Sequence, residues 1–150
     1  MDLSGGPYLQ TACLCERVLE EKDGVLSAIR IVDRIGIQAQ FAPGQPAPAM
    51  PAIPVSLWVL ISFKAGRARG SYSVRIEPRT PAGLKMPGPT VPVLLEGDDD
   101  RGVNLKLNLN FVAQEQGTYW FDVLFEDQLV TRMPLRVIYQ PMTMSLPPQL

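Results

Sequence analysis

The chain has 150 residues and a formal net charge of −1, with 46% hydrophobic and 19% charged residues. That length suits one domain with its own core, the composition excludes bulk disorder, and the lack of a basic excess argues against a nucleic-acid partner. Histidine is absent, which removes the commonest general base, the commonest metal ligand and any Ser-His or Cys-His nucleophile pair.

Met1 to Gln10 lacks the basic start and apolar run of a secretory signal, and no stretch is long enough to cross a membrane. The expectation is a cytoplasmic protein with no membrane partner. The first extended run is Tyr8 to Leu19, which contains the only two cysteines, Cys13 and Cys15. Strand residues two apart share a face, with Cα atoms about 6.5–7 Å apart. A relaxed disulfide does not fit there, and two thiols alone cannot complete a zinc site. They read as buried small hydrophobes, or as an intermolecular metal or redox pair.

Lys22-Asp23-Gly24 lies between this run and the next, Val25 to Gln38, and Asp-Gly with Gly24 second is a hairpin signal. Within the second run Val25, Ile29, Ile31, Ile35 and Ile37 share the inward parity, and Asp33 interrupts it. A bulge that turns Asp33 outward, a turn cap, or a buried partner would each accommodate the carboxylate. Pro43, Pro46, Pro48, Pro51 and Pro54 then make a crossover or a polyproline-like segment.

Val55 to Phe63 alternates, with Val55, Leu57, Val59, Ile61 and Phe63 inward and Trp58 and Leu60 outward. Arg67 and Arg69 between Gly66 and Gly70 form a basic turn, too short for a phosphate loop. Ser71 to Glu77 and a short Val91 to Glu96 follow, with a second group of prolines between them. Asp98-Asp99-Asp100 is the acid cluster; it lacks the spacing of a calcium loop and reads as a solvated turn.

Val103 to Phe111 is the clearest strand, with Val103, Leu105, Leu107, Leu109 and Phe111 on one side and Asn104, Lys106, Asn108 and Asn110 on the other. In Thr118 to Glu126, Tyr119, Phe121, Val123 and Phe125 point inward, and Trp120 and Leu124 outward. In Leu129 to Tyr139, Leu129, Met133, Leu135, Val137 and Tyr139 point inward, and Val130 and Ile138 outward. Pro134 marks an edge or a bulge. Residues 141–150 hold three prolines and no charge, and read as a flexible tail behind a single domain over residues 1–140.

Eight strands and no helix give an all-β chain. Glu115 to Tyr119, with Gly117 before the tyrosine, resembles the tyrosine corner of immunoglobulin-like sandwiches, with Phe121 where secreted members place a cysteine. The expected fold is an immunoglobulin-like antiparallel β-sandwich of about eight strands, in which Gly24, Asp33, Gly117 and Tyr119 serve structure. If the strand of Trp58 neighbours the last two strands, then Trp58, Leu60, Trp120, Leu124, Val130 and Ile138 make one outer apolar patch. Such a patch is either covered by the proline-rich loop or is an interface.

Leu9 to Ile35, with its Asp23-Gly24 turn and Asp33-Arg34-Ile35 end, together with Gly117 to Val123 and Pro134 to Ile138, resembles a family of short bacterial proteins known only as a domain of unknown function. The resemblance implies a compact β-sandwich and transfers no functional residue. The expected function is a non-catalytic interaction module that binds another protein or itself, with no cofactor and no metal. The alternative is a small-ligand or carbohydrate binder using the two indoles as platforms.

Overall fold

A computed structural model describes residues 1–144. Among the described residues nine strands are formed: β1 (Tyr8–Glu20), β2 (Leu26–Ile31), β3 (Arg34–Phe41), β4 (Ile53–Lys64), β5 (Gly70–Arg79), β6 (Thr90–Leu95), β7 (Gly102–Ala113), β8 (Gly117–Phe125) and β9 (Gln128–Thr143). One sheet has the order β2-β1-β4-β7 and the other β3-β9-β8-β5-β6. The strongly alternating segments form the middle of each sheet. Val55, Leu57, Val59, Ile61 and Phe63 of β4 are buried against Tyr119, Phe121, Val123 and Phe125 of β8 and Met133, Leu135 and Val137 of β9. Rings cross the interlayer space, with Phe63 to Phe125 at 5.4 Å and Phe111 to Tyr119 at 5.4 Å between centroids. Tilted pairs at this spacing add to simple area burial.

The expected single strand from Val25 to Gln38 is two strands in different sheets. The switch occupies two residues: Val32 N–H still donates to Leu14 O of β1 (2.8 Å), while Asp33 O already accepts from Arg136 N–H of β9 (2.8 Å). Arg30, at φ 55°, bends the chain into the crossing. Asp33 is therefore exposed, with its carboxylate accepting from Arg34 Nε at 3.2 Å. Apolar periodicity runs through this break because each half packs against a different neighbour. Ile37 is buried, whereas Val25, Ile29 and Ile31, expected inward, are 57%, 38% and 70% exposed.

Two further expectations change in β9. A bulge shifts the pairing from Val123↔Thr131 to Leu124↔Leu129, leaving Val130 as the extra residue. A bulge reverses the facing of the residues beyond it. Val130 accordingly packs on the core, and Leu129 is 54% exposed. The strand also continues past the expected end of the domain, since Pro141, Met142 and Thr143 pair with Ala39, Gln40 and Phe41. Residues 145–150 of the expected tail lie outside the described residues. Pro134 interrupts no second ladder, because the parallel β3 pairing begins at Arg136 and only β8 lies beside β9 at that point.

The tyrosine corner is formed. The Tyr119 hydroxyl donates to Glu115 O at 3.0 Å and accepts from Glu115 N–H at 3.4 Å. Gly117 opens β8 at φ 128°, where a Cβ would lie 2.8 Å from Pro81 Cβ. The hairpin after β1 closes through Gly24, at φ 85°, with Gly24 N–H donating to Glu21 O at 2.9 Å.

Candidate interaction surfaces

The sheet assignment separates the two tryptophans. Trp58 is on β4 in the four-stranded sheet, whereas Trp120 and Leu124 on β8 and Val130 and Ile138 on β9 belong to the five-stranded sheet. The continuous outer patch expected from these residues does not exist. Alternation reports which side of its own sheet a residue faces and carries no information on which sheet that is. The outward parity of both indoles holds: Trp58 lies between the buried Leu57 and Val59, and Trp120 between the buried Tyr119 and Phe121, and both indoles are half-buried. On opposite faces they cannot form a joint platform.

On the five-stranded sheet an ionic network surrounds Trp120. Asp122, 6% exposed, accepts from Arg132 Nε at 2.7 Å and Arg79 Nε at 3.2 Å. The Arg132 guanidinium lies 4.7 Å from the Trp120 ring centroid, within cation–π range. Glu77, opposite Asp122 in the ladder, accepts from Arg75 at 2.6 Å and Arg79 at 2.7 Å, with Lys85 at 3.4 Å. Two carboxylates in register repel, and three arginines and a lysine reverse that. The hydrogen bond from Arg75 lowers the Glu77 pKa most. Desolvation opposes it, and Lys85 and Arg79 add to the lowering. Leu124 and Ile138 are half-buried on this face, Ile138 beside Gly36.

On the four-stranded sheet Lys106 Nζ of β7 lies 5.9 Å from the Trp58 ring centroid, and the β1–β2 hairpin approaches the same face. β1 pairs with β4 only as far as Cys15↔Trp58. Beyond it, Glu20 Oε2 lies 3.9 Å from Lys106 Nζ of β7, two strands away. Glu20, Gly24 and Leu26 share a hollow of about 220 Å³ with Asn104 and Lys106. Glu16 and Arg30, themselves paired at 2.8 Å, line another of about 600 Å³ beside Ser56. Asn104, Lys106 and Ser56 all face outward, in register with Ser62, Leu60 and Asn110. The hairpin thus folds back across the outer face of β4. Its side carrying Glu16, Val18, Glu20, Leu26, Ala28 and Arg30 is turned to the sheet. Val18 is 8% exposed although it is not part of the interlayer core.

The other side of the hairpin carries Leu19, Val25, Ile29 and Ile31, which are 38%, 57%, 38% and 70% exposed. The register sets Ile29 opposite Arg17 and Leu19 opposite Ser27, so these aliphatic groups share one face. Sequence reasoning missed this surface because it assigned Val25, Ile29 and Ile31 to the core and gave Leu19 no facing. The signal available was the Asp23-Gly24 turn, which makes β1 and β2 a hairpin able to leave the sheet.

The proline-rich segment meets a different region: Tyr139 Oη donates to Pro48 O at 2.6 Å. Cys13 and Cys15 are free thiols, Cys13 half-buried and Cys15 buried, and desolvation raises both pKa values, so they stay protonated at neutral pH. The acidic turn folds against the basic one, with Asp99 accepting from Arg69 at 2.8 Å and Asp99 O from Gly66 N–H at 2.9 Å. Among the described residues no group of three or more Cys, Asp or Glu side chains could hold a metal ion.

Strands β1, β4 and β7 face β9, β8, β5 and β6, with β3 parallel to the last strand and a tyrosine corner opening β8. This arrangement defines an immunoglobulin-like β-sandwich. In that order β4 occupies the second-strand place and β5 the third, so Trp58 is not the core tryptophan of such domains. The chain belongs to the family of unknown function DUF6941, whose model matches residues 10–138. No curated protein matches it. Among solved structures it is similar to the CARDB domain of the PF1109 protein from Pyrococcus furiosus, solved in complex with di-metal ions. The identity is 12%, covering 92% of this chain and 95% of that one, with a TM-score of 0.42.

Proposed function

We propose that this sandwich is a non-catalytic protein-interaction module that docks another protein on the exposed side of the β1–β2 hairpin. The observation that carries this reading is the set Leu19, Val25, Ile29 and Ile31, four exposed aliphatic side chains, three on the paired strands β1 and β2 and Val25 in the turn between them. Contiguous apolar groups left in water mark interaction sites more often than scattered ones do, and removing them from water contributes about 25 cal/mol per Å² before association costs. Arg17, opposite Ile29 in the ladder, flanks the set and favours a partner with acidic groups at its rim. The tryptophans serve the scaffold, one beneath Lys106 and one beneath Arg132. Glu77 and Asp122, the most shielded carboxylates, are both engaged by arginines, which suits a scaffold better than acid–base chemistry. Two unpaired, protonated thiols suit a reducing compartment such as the cytoplasm.

Affinity capture with the wild-type chain and with an Ile29→Ser/Ile31→Ser variant tests the reading. A partner captured by the wild type and then purified should bind the variant at least about tenfold more weakly, the loss expected of two central apolar anchors. Equal binding of folded variant and wild type would remove the hairpin as the docking site.

A further inference from the structure

The four sheet edges are guarded unequally. β2 and β6 have six residues each; β2 is bent near its end by Arg30 with φ 55°, and β6 contains Pro92. β3 has eight residues, carries Arg34 and Gly36, and runs into the proline-rich segment. β7 differs from all three. It has twelve residues paired with β4 one for one, from Gly102↔Lys64 to Ala113↔Ile53, without a register shift. It contains no proline and no acidic residue, and Lys106 is its only charge. Among the described residues nothing pairs along its other side. Short length, charge, proline and bulges keep edge strands from pairing with other chains, and β7 has almost none of them.

The core also leaks at this edge. The five inward residues of β4 are at most 7% exposed, whereas Val103, Leu105, Leu107 and Phe111 of β7 are only half-buried. Pro54, Val55, Ser56, Asn110, Phe111 and Val112 line an open groove of about 490 Å³ at one end of the strand. Val112 beside it is 50% exposed.

We propose that two copies of this chain pair antiparallel along their β7 edges, joining two four-stranded sheets into one continuous sheet about a twofold axis. Opposed residues in such a pair face the same side, so the axis passes through a residue. A register centred on Lys106 sets lysine against lysine and is disfavoured. Registers centred on Leu107 or Asn108 use nearly the whole strand and place Lys106 opposite Asn108 or Asn110 of the second copy. In both, the asparagines meet across the outer face and the half-buried Leu and Phe side chains meet across the inner one. This pairing uses an edge distinct from the hairpin surface and holds whether or not that surface binds a partner.

Sedimentation equilibrium of the full chain should give twice the 16.5 kDa chain mass. Asn108→Lys sets lysine against its own copy in one register and against Lys106 of the second copy in the other. It should weaken association at least about tenfold, whereas Gln38→Lys on the β3 edge leaves it unchanged. In the wild type, β7 amides should exchange more slowly as protein concentration rises, a readout that needs no variant. A single-chain mass at every loading concentration, undiminished dimerisation of N108K, or β7 exchange independent of concentration would overturn the proposal.

Discussion

At the residue scale the molecule is held by a small number of polar side chains in unusual settings. Glu77 is the clearest. Hydrogen bonding to Arg75, with Lys85 and Arg79 close by, lowers its pKa in the folded chain. A carboxyl with a folded pKa below its unfolded value contributes stability above the unfolded value and loses it as pH falls through the folded one. Wild-type stability should therefore decline from about pH 5 downward. Glu77→Gln should be less stable at neutral pH and show a shallower decline across that acid window in urea titrations. Parallel acid limbs for the two proteins would show that Glu77 is not held this way. The thiols work in the opposite sense. Their raised pKa values give a contribution present below the ordinary thiol range and lost in alkali.

At the scale of single elements, β8 depends on its entry corner. Tyr119 both donates to and accepts from the Glu115 backbone while its ring packs on Phe111. Tyr119→Phe keeps the ring and removes the hydroxyl, and should cost about 1 kcal/mol, read as a lower urea midpoint at unchanged slope. An unchanged midpoint would mean that the corner is held by Gly117 and the β7–β8 turn alone. Elements buried on one face by strict alternation were legible from sequence: β4, β7 and β8 stand where period two placed them, with their inward residues facing the core. What alternation could not carry is phase across a defect. The Val130 bulge reverses the facing of Leu129 and Val130, and the crossing at Val32-Asp33 changes sheets while the apolar rhythm continues. The tail boundary failed for a related reason. Proline at 141 suggested an end, but β3 supplies a parallel neighbour as far as Thr143.

At the scale of the whole molecule, the distribution of functional surface follows from which strands share a sheet. Placing Trp58 beside Trp120 requires β4 to neighbour β8. Instead, the strand order puts a sandwich thickness between them, and each indole has its own cation above it, Lys106 over Trp58 and Arg132 over Trp120. The side proposed for docking is the outer side of the hairpin, and its exposure depends on the hairpin lying back across β4. A zero-length carbodiimide, which joins only carboxylates and amines in contact, tests that placement directly. Peptide mapping of the monomeric band should find Glu20 joined to Lys106. Recovery of Lys106 joined to other carboxylates, with Glu20 unmodified, would show that the hairpin stands away from the sheet. That result would leave the proposed docking side without its defining geometry.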